Sequence, residues 1–165
     1  MNLITTGDSL TRAAKNIRIE LKQSFPGVTF SVKSKRFSMG DDITIHWIDG
    51  PTGKAVDHIV GKYEAGSFDG MVDLYTYAHS EFTNLYGDAK YIMTTRHYSD
   101  SAIQDAIAEI AAKWDDNPVT WTANDFNMGR LYARNPSRHC DDYQHLIYSV
   151  LGVRDFTQTV QAQAA

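Results

Sequence analysis

Apolar residues recur along this chain at two different spacings, and the switches between them outline its elements. Leu10, Ala14, Ile17, Leu21 and Phe25 stand three or four residues apart. That spacing places them on one face of a helix. Asp8 or Ser9 stands where an N-cap is needed, and Pro26-Gly27 stops the helix. Lys15, Arg18 and Lys22 fall on its other faces and give it a solvated basic side. From Val28 the spacing drops to two. Val28, Phe30 and Val32 alternate with Thr29, Ser31 and Lys33. After a turn at Met39–Asp42, Ile43, Ile45 and Trp47 alternate with Thr44 and His46. Two such runs around a Gly-Asp turn predict an antiparallel hairpin. Lys33 and Lys35 share its outward face, with Arg36 beside them.

Pro51 opens a short helix whose inward positions are Val56, Ile59, Val60 and Tyr63. A short strand is expected around Val72–Tyr77, followed by a loop over 78–89. Lys90–Ser99 alternates and is rich in β-formers, so it predicts a strand. Ser99 caps a further helix with the stripe Ile103, Ala106, Ile107, Ile110 and Trp114, ended by Asn117-Pro118. Short helical pieces are expected over 119–138, then a helix from about Asp141 to Leu151 stopped by Gly152, then a polar tail that frays. The strands do not alternate strictly with helices. The class expected is therefore α+β: a small, mainly antiparallel sheet packed by helices, with a helical C-terminal extension. The expected division is 1–114 for the α+β domain and 115–165 for the extension, packed on the same domain.

Composition narrows the class of function. Hydrophobic residues are 42% of the chain, enough for a core, and charged residues are 22%, which argues against disorder. The net charge of −4 disfavours a dedicated nucleic-acid binder, whose footprint is basic. The charge is unevenly placed: residues 1–36 hold seven Lys/Arg against two acids. Such asymmetry can orient a partner. The single cysteine, Cys140, excludes an internal disulfide and suits a reducing compartment. The N-terminal segment has no apolar h-region, and no run reaches the length of a membrane span. A soluble cytoplasmic protein, without membrane contact, is expected.

Several clusters are candidates for chemistry. Asp69 and Asp73 stand four residues apart in "SFDGMVDLYTY". A carboxylate pair can do acid–base work or bind Mg²⁺, as in a metal-dependent hydrolase. No second acidic cluster and no phosphate-cradling glycine loop accompanies it. A turn at Asp69-Gly70, with Asp73, Tyr75 and Tyr77 on one strand face, is the simpler reading. Arg96, on the strand ending Arg96-His97-Tyr98, is then a partner for Asp69 or Asp73 inside the fold. His139, Cys140 and His145 form one half of a zinc pattern, with His46, His58, His79 and His97 scattered elsewhere. Cys140 beside His139 and Asp141 is the sole thiol–imidazole pair. Neither set completes a site, so no metal and no cofactor is expected. Arg130, Arg134 and Arg138 recur every four residues and would form a basic stripe on a helix, which Pro136 interrupts. Tyr132 and Trp121 could add stacking for a single strand.

Four short motifs occur in order: Phe25–Val28 with Phe30–Val32, Trp47–Pro51, Phe68–Asp73, and Tyr91–Ser99. Together they resemble the large polyvalent protein-associated domains of phages and conjugative elements. The resemblance spans roughly Ala13 to Ala112 and makes Phe68, Asp69, Gly70, Met71, Asp73, Arg96 and Tyr98 a structural fingerprint. It implies origin in a mobile element and a role against host defence. It brings no catalytic residues. The function expected is a non-enzymatic counter-defence protein, of anti-CRISPR or antirestriction type, that binds a host defence complex. Its expected contacts are Lys33, Lys35 and Arg36 on the hairpin, or Arg130, Arg134 and Arg138. A nucleic-acid-binding accessory module is the alternative, motivated by the basic first 36 residues and the aromatic content.

Overall fold

A computed structural model of the chain describes residues 2–71, 74–78, 80–116 and 120–164, with side chains at all of these but 68, 69, 163 and 164. The fold is α+β. The chain forms two compact units, Met1–Arg96 with Phe156–Ala165, and His97–Asp155.

In the first unit, helix α1 (Ser9–Ser24) is capped by Asp8, whose carboxylate accepts the Thr11 N–H. It buries Leu10, Ala13, Ala14, Ile17 and Leu21. Strands β1 (Ser31–Phe37) and β2 (Gly40–Ile48) form the antiparallel hairpin, with Val32 opposite Ile45 and Phe37 opposite Gly40. The turn is therefore tighter than Met39–Asp42, and β1 starts three residues after Val28. Helix α2 (Gly53–Val60) is capped by Thr52, so Pro51 lies just outside it rather than opening it. A 3-10 turn (Gly61–Tyr63) follows. Strand β3 (Gly66–Asp69) pairs antiparallel with β4 (Leu74–Tyr77) as a separate two-stranded sheet. Strand β5 (Tyr91–His97) joins the first hairpin beside β2, giving the order β1-β2-β5.

Residues 78–89 are not simply a loop. Helix α3 (Glu81–Tyr86) sits there, started by a capping box in which Ser80 and Thr83 satisfy each other's backbone N–H groups. A threonine closes the box where Glu or Gln usually does, which hides the signal in the sequence. At Gly87 the backbone has φ +89°, and a Cβ would lie 2.3 Å from the Ser9 carbonyl oxygen. Only glycine allows α3 to end that close to α1. The tail also departs from expectation. Helix α7 (Thr157–Ala164) forms there, and Val160 packs against the core. The Phe156 N–H anchors it by donating to the Gly50 carbonyl at 2.8 Å.

The core of this unit joins α1, β1, β2 and α2 through Ile17, Leu21, Ile43, Ile45, Trp47, Val56 and Tyr63. Two polar side chains of α1 are buried with it. Asn16 accepts from the Ile4 N–H and donates to the Ile4 and Tyr86 carbonyls. Glu20 accepts from the Tyr63 hydroxyl and pairs with Lys62 at 2.6 Å. Burial, reinforced by the Glu20 charge, pushes the Tyr63 phenol well above its ordinary range.

The second unit is helical. Helix α4 (Asp100–Trp114) is capped by Ser99 and buries Ala102, Ile103, Ala106, Ile107 and Ile110. Helix α5 (Ala123–Asn127) is short, and α6 (Tyr143–Val153) packs on α4. Gly152 does not stop α6; the helix runs one residue past it. Asn117-Pro118 lies outside the described residues.

Candidate binding surface

Strand alternation decides what the three-stranded sheet offers to a partner. Val32, Ile43 and Ile45 point into the core. The register places Lys33 opposite Thr44, Lys35 opposite Asp42 and Phe37 opposite Gly40, all on the other face. On β5, Ile92 packs on the core, so Tyr91, Met93 and Thr95 share that outer face. Phe37 and Met93 remain 41% and 49% exposed. The rings of Phe37 and Tyr91 lie nearly parallel, 11° between planes and 6.5 Å between centroids.

The aromatic set continues into the β3–β4 hairpin. Tyr75 meets Tyr91 edge-on at 5.7 Å and Tyr77 at 4.8 Å. The Tyr75 hydroxyl donates to the Lys90 carbonyl at 2.7 Å. Lys90 Nζ stands 5.0 Å from the Tyr75 ring and 5.3 Å from the Tyr91 ring, and donates to the Met39 carbonyl. Burial, then the nearby Glu64 charge, pushes the Tyr75 phenol up to about 12. Within "SFDGMVDLYTY", Ser67–Asp69 thus pairs with Leu74–Tyr77, and the second strand supplies two tyrosines to a partly exposed aromatic group. Phe37 is not among the sequence candidates, and Lys90 and Tyr91 enter there only as the start of the Lys90–Ser99 strand and of the Tyr91–Ser99 motif.

The expected contacts fall into two kinds. Lys33 and Lys35 do share the outer face and make no ion pair among the described residues. Asp42, opposite Lys35, accepts instead from the Thr44 hydroxyl. Arg36 points to the other side and pairs with Asp8. That contact, with the Thr11 backbone bond, holds the Asp8 carboxyl below the usual range. Arg130, Arg134 and Arg138 do not share a helix, since 128–138 consists of turns and irregular chain. Arg130 pairs with Asp125 at 3.1 Å and Arg138 with Asp116 at 3.1 Å.

Arg96 has described partners other than those expected. Its Nε donates to the Asp49 carbonyl at 2.9 Å and its Nη2 to the Gly50 carbonyl at 2.8 Å. Its guanidinium lies 5.4 Å from the Phe156 ring centroid. Asp49 and Gly50 both have left-handed backbone, φ 53° and 59°. A Cβ at Gly50 would press on Val28 at 3.0 Å, so this turn needs its glycine. Trp47 locks the same turn by donating its Nε1–H to the Pro51 carbonyl. Asp73 and the Asp69 side chain, the other half of the expected pairing, lie outside the described residues, as does His79.

Two of the sequence motifs, Trp47–Pro51 and the strand ending in Arg96, therefore meet in one hydrogen-bonded node. The model of large polyvalent protein associated domain 29 matches residues 8–99, more than half of the chain. The chain belongs to that family. The family is associated with phages and other mobile elements. The match covers α1 through β5, so the aromatic face and the Arg96 node are both part of the domain-29 fold. No curated protein and no solved structure matches the chain. Among the described residues, no helix is long and apolar enough to cross a membrane.

One cluster outside the domain-29 match has metal-ligand chemistry. Ligand atoms of His139, Cys140 and Asp141 lie within 4.8 Å of one another. However, His139 Nδ1 accepts the Asp141 N–H at 3.0 Å. That nitrogen is engaged, and a metal binding there would have to break the bond. His145 is engaged elsewhere, with Nδ1 2.8 Å from Asp142.

Proposed function

We propose that the chain is a binding module of a mobile element that acts without catalysis, by docking on a host defence complex and blocking it. The observation that carries this reading is the outer sheet face. It joins two lysines that make no ion pair among the described residues to exposed Phe37 and Met93 and half-buried Tyr91, flanked by the Tyr75 group. Aromatic and methionine side chains are enriched at protein interfaces, whereas lysine is depleted there. Lys33 and Lys35 act here by steering an acidic partner surface. Membership of a family tied to mobile elements supplies the context, because host defence is what such elements must survive.

The test is expression of the chain in bacteria carrying a CRISPR effector or a restriction enzyme. The wild-type chain should restore plating of a restricted phage and co-purify with the complex. The doubly reversed variant Lys33→Glu/Lys35→Glu should fold normally and lose both effects. Unchanged restriction by every defence tested would sink the reading.

One observation favours a second reading, a nucleic-acid accessory module. Two near-parallel rings beside lysines can stack successive bases of a single strand. Affinity for a single-stranded oligonucleotide would then fall steeply with salt. Absence of binding at low salt rejects it.

A further inference from the structure

The basic side of α1 borders a cleft that the aromatic face does not use. The cleft has a volume of about 400 Å³ and is lined by Arg18, Lys22, Gly27, Val28, Thr29 and Phe30. That size is within the range of small-molecule sites. Two features set it apart from an ordinary solvated helix face. First, Arg18 is held in place. Its Nη1 donates to the Ala14 carbonyl at 3.3 Å, and its Nη2 donates to the Val32 carbonyl of β1. Carbonyls orient the guanidinium without cancelling its charge. Second, no carboxylate pairs with Arg18 or Lys22 among the described residues. Glu20 is the sole acid between Ser9 and Gly40, and it is buried against Lys62 and Tyr63. Among the described residues, the positive charge at the cleft therefore has no carboxylate paired with it.

The walls are of mixed character. Thr29 offers a hydroxyl that meets no partner among the described residues. Phe30 offers an aromatic ring already braced by Phe25 at 6.0 Å and Trp47 at 5.7 Å. A fixed guanidinium and a mobile ammonium suit the oxygens of a phosphate. A braced ring beside them suits a flat apolar body attached to that phosphate.

We propose that this cleft binds the phosphate of a nucleotide, with Arg18 and Lys22 on the phosphate oxygens and Phe30 against the base. The shared chemistry admits two sources, a free nucleotide or a nucleotide within a strand. This site is separate from Lys33 and Lys35, so either proposal can fail without the other.

The test titrates the full chain with adenosine monophosphate, inorganic phosphate and a short single-stranded oligonucleotide, followed by amide chemical shifts. Saturable shifts at Arg18, Lys22, Thr29 and Phe30 are expected with adenosine monophosphate, weaker with inorganic phosphate. Shifts there with the oligonucleotide alone would assign the site to strand phosphates and still support it. Because Arg18 also holds β1, the deciding variant is Lys22→Glu, whose side chain is exposed and makes no described bond. It should weaken binding about tenfold or more with an unchanged melting temperature. Absence of saturable shifts with all three probes, or full affinity in Lys22→Glu, overturns the proposal. Equal affinity for inorganic phosphate and adenosine monophosphate overturns the part given to Phe30.

Discussion

Arg96 in the first unit and Arg130 in the second were both conspicuous in the sequence, and they do different things. Arg96 lies half-buried and holds two backbone carbonyls of a left-handed turn. Arg130 stands out in solvent, its side chain 62% exposed, beside a single carboxylate. A carbonyl inside the fold that loses its donor cannot always find water, whereas an exposed carboxylate always can. The same contrast runs through the two units. The first is fastened by buried Asn16 and Glu20 and half-buried Arg96, each joining elements far apart in sequence. In the second, α4 and α6 pack on each other mainly through apolar side chains, one buried amide, Gln144, donates to the Phe126 carbonyl at 3.1 Å, and the described arginine–carboxylate pairs are at its surface. The family match ends at residue 99, close to where the first style gives way to the second.

The largest effect expected from this contrast is at Arg96. Charge-assisted hydrogen bonds to partly buried carbonyls contribute roughly 1.5–3 kcal/mol each. Arg96→Ala should therefore destabilise the fold by about 2–4 kcal/mol in urea denaturation. Arg96→Lys keeps the charge but cannot span both carbonyls, and should fall between the two. A loss within about 0.5 kcal/mol for Arg96→Ala would mean that the turn stands without it, and that the node is incidental.

What could be read in advance follows from how local each signal is. The stripes of α1 and α4 and the alternation of β1 and β2 are set by spacing within one element, and all four formed. So did the outward pairing of Lys33 with Lys35, because alternation fixes it. Arg96 stands out in the sequence, but the carbonyls of Asp49 and Gly50 carry no side-chain signature that could name them as its partners. Helix α3 was hidden because Thr83 closes its capping box in place of a longer side chain. Helix α7 was hidden because its composition is polar, while its anchors, Val160 on the core and Phe156 on Gly50, come from distant contacts. The aromatic face escaped for the same reason. Phe37, Tyr75 and Tyr91 lie on three strands, and only the register brings their rings together.

A second prediction concerns that aromatic group. The Tyr75 phenol is raised to about 12, chiefly by burial. A group whose pKa is raised on folding contributes stability below its unfolded value of about 10, and that contribution is lost as pH rises through 12. The wild-type protein should thus lose stability between about pH 10 and 12, and Tyr75→Phe should lose less over the same window. Ultraviolet titration of tyrosinate would show the corresponding late step, missing in Tyr75→Phe. A Tyr75 that ionises with the ordinary tyrosines would show that its hydroxyl is solvated and that the group is looser than described.

The smallest effect belongs to Arg130, and its smallness is the sharper half of the comparison. Asp125, its partner, is held below the usual carboxylate range first by the Thr122 hydroxyl, then by the Thr122 backbone N–H, and only then by Arg130. The capping box that starts α5 is made by Thr122 and Asp125 alone. Arg130→Ala should leave it intact and move the melting temperature by less than about 2 °C. Asp125→Ala opens the box and should lower the melting temperature further than Arg130→Ala does. The Asp125 contribution is present above its unfolded pKa and lost as pH falls through the depressed folded value, so the difference between the two variants should shrink in acid. If Arg130→Ala instead destabilises as much as Arg96→Ala, exposure is the wrong guide to what an arginine does in this chain. The second unit would then be fastened by its surface charges and not by the packing of α4 on α6.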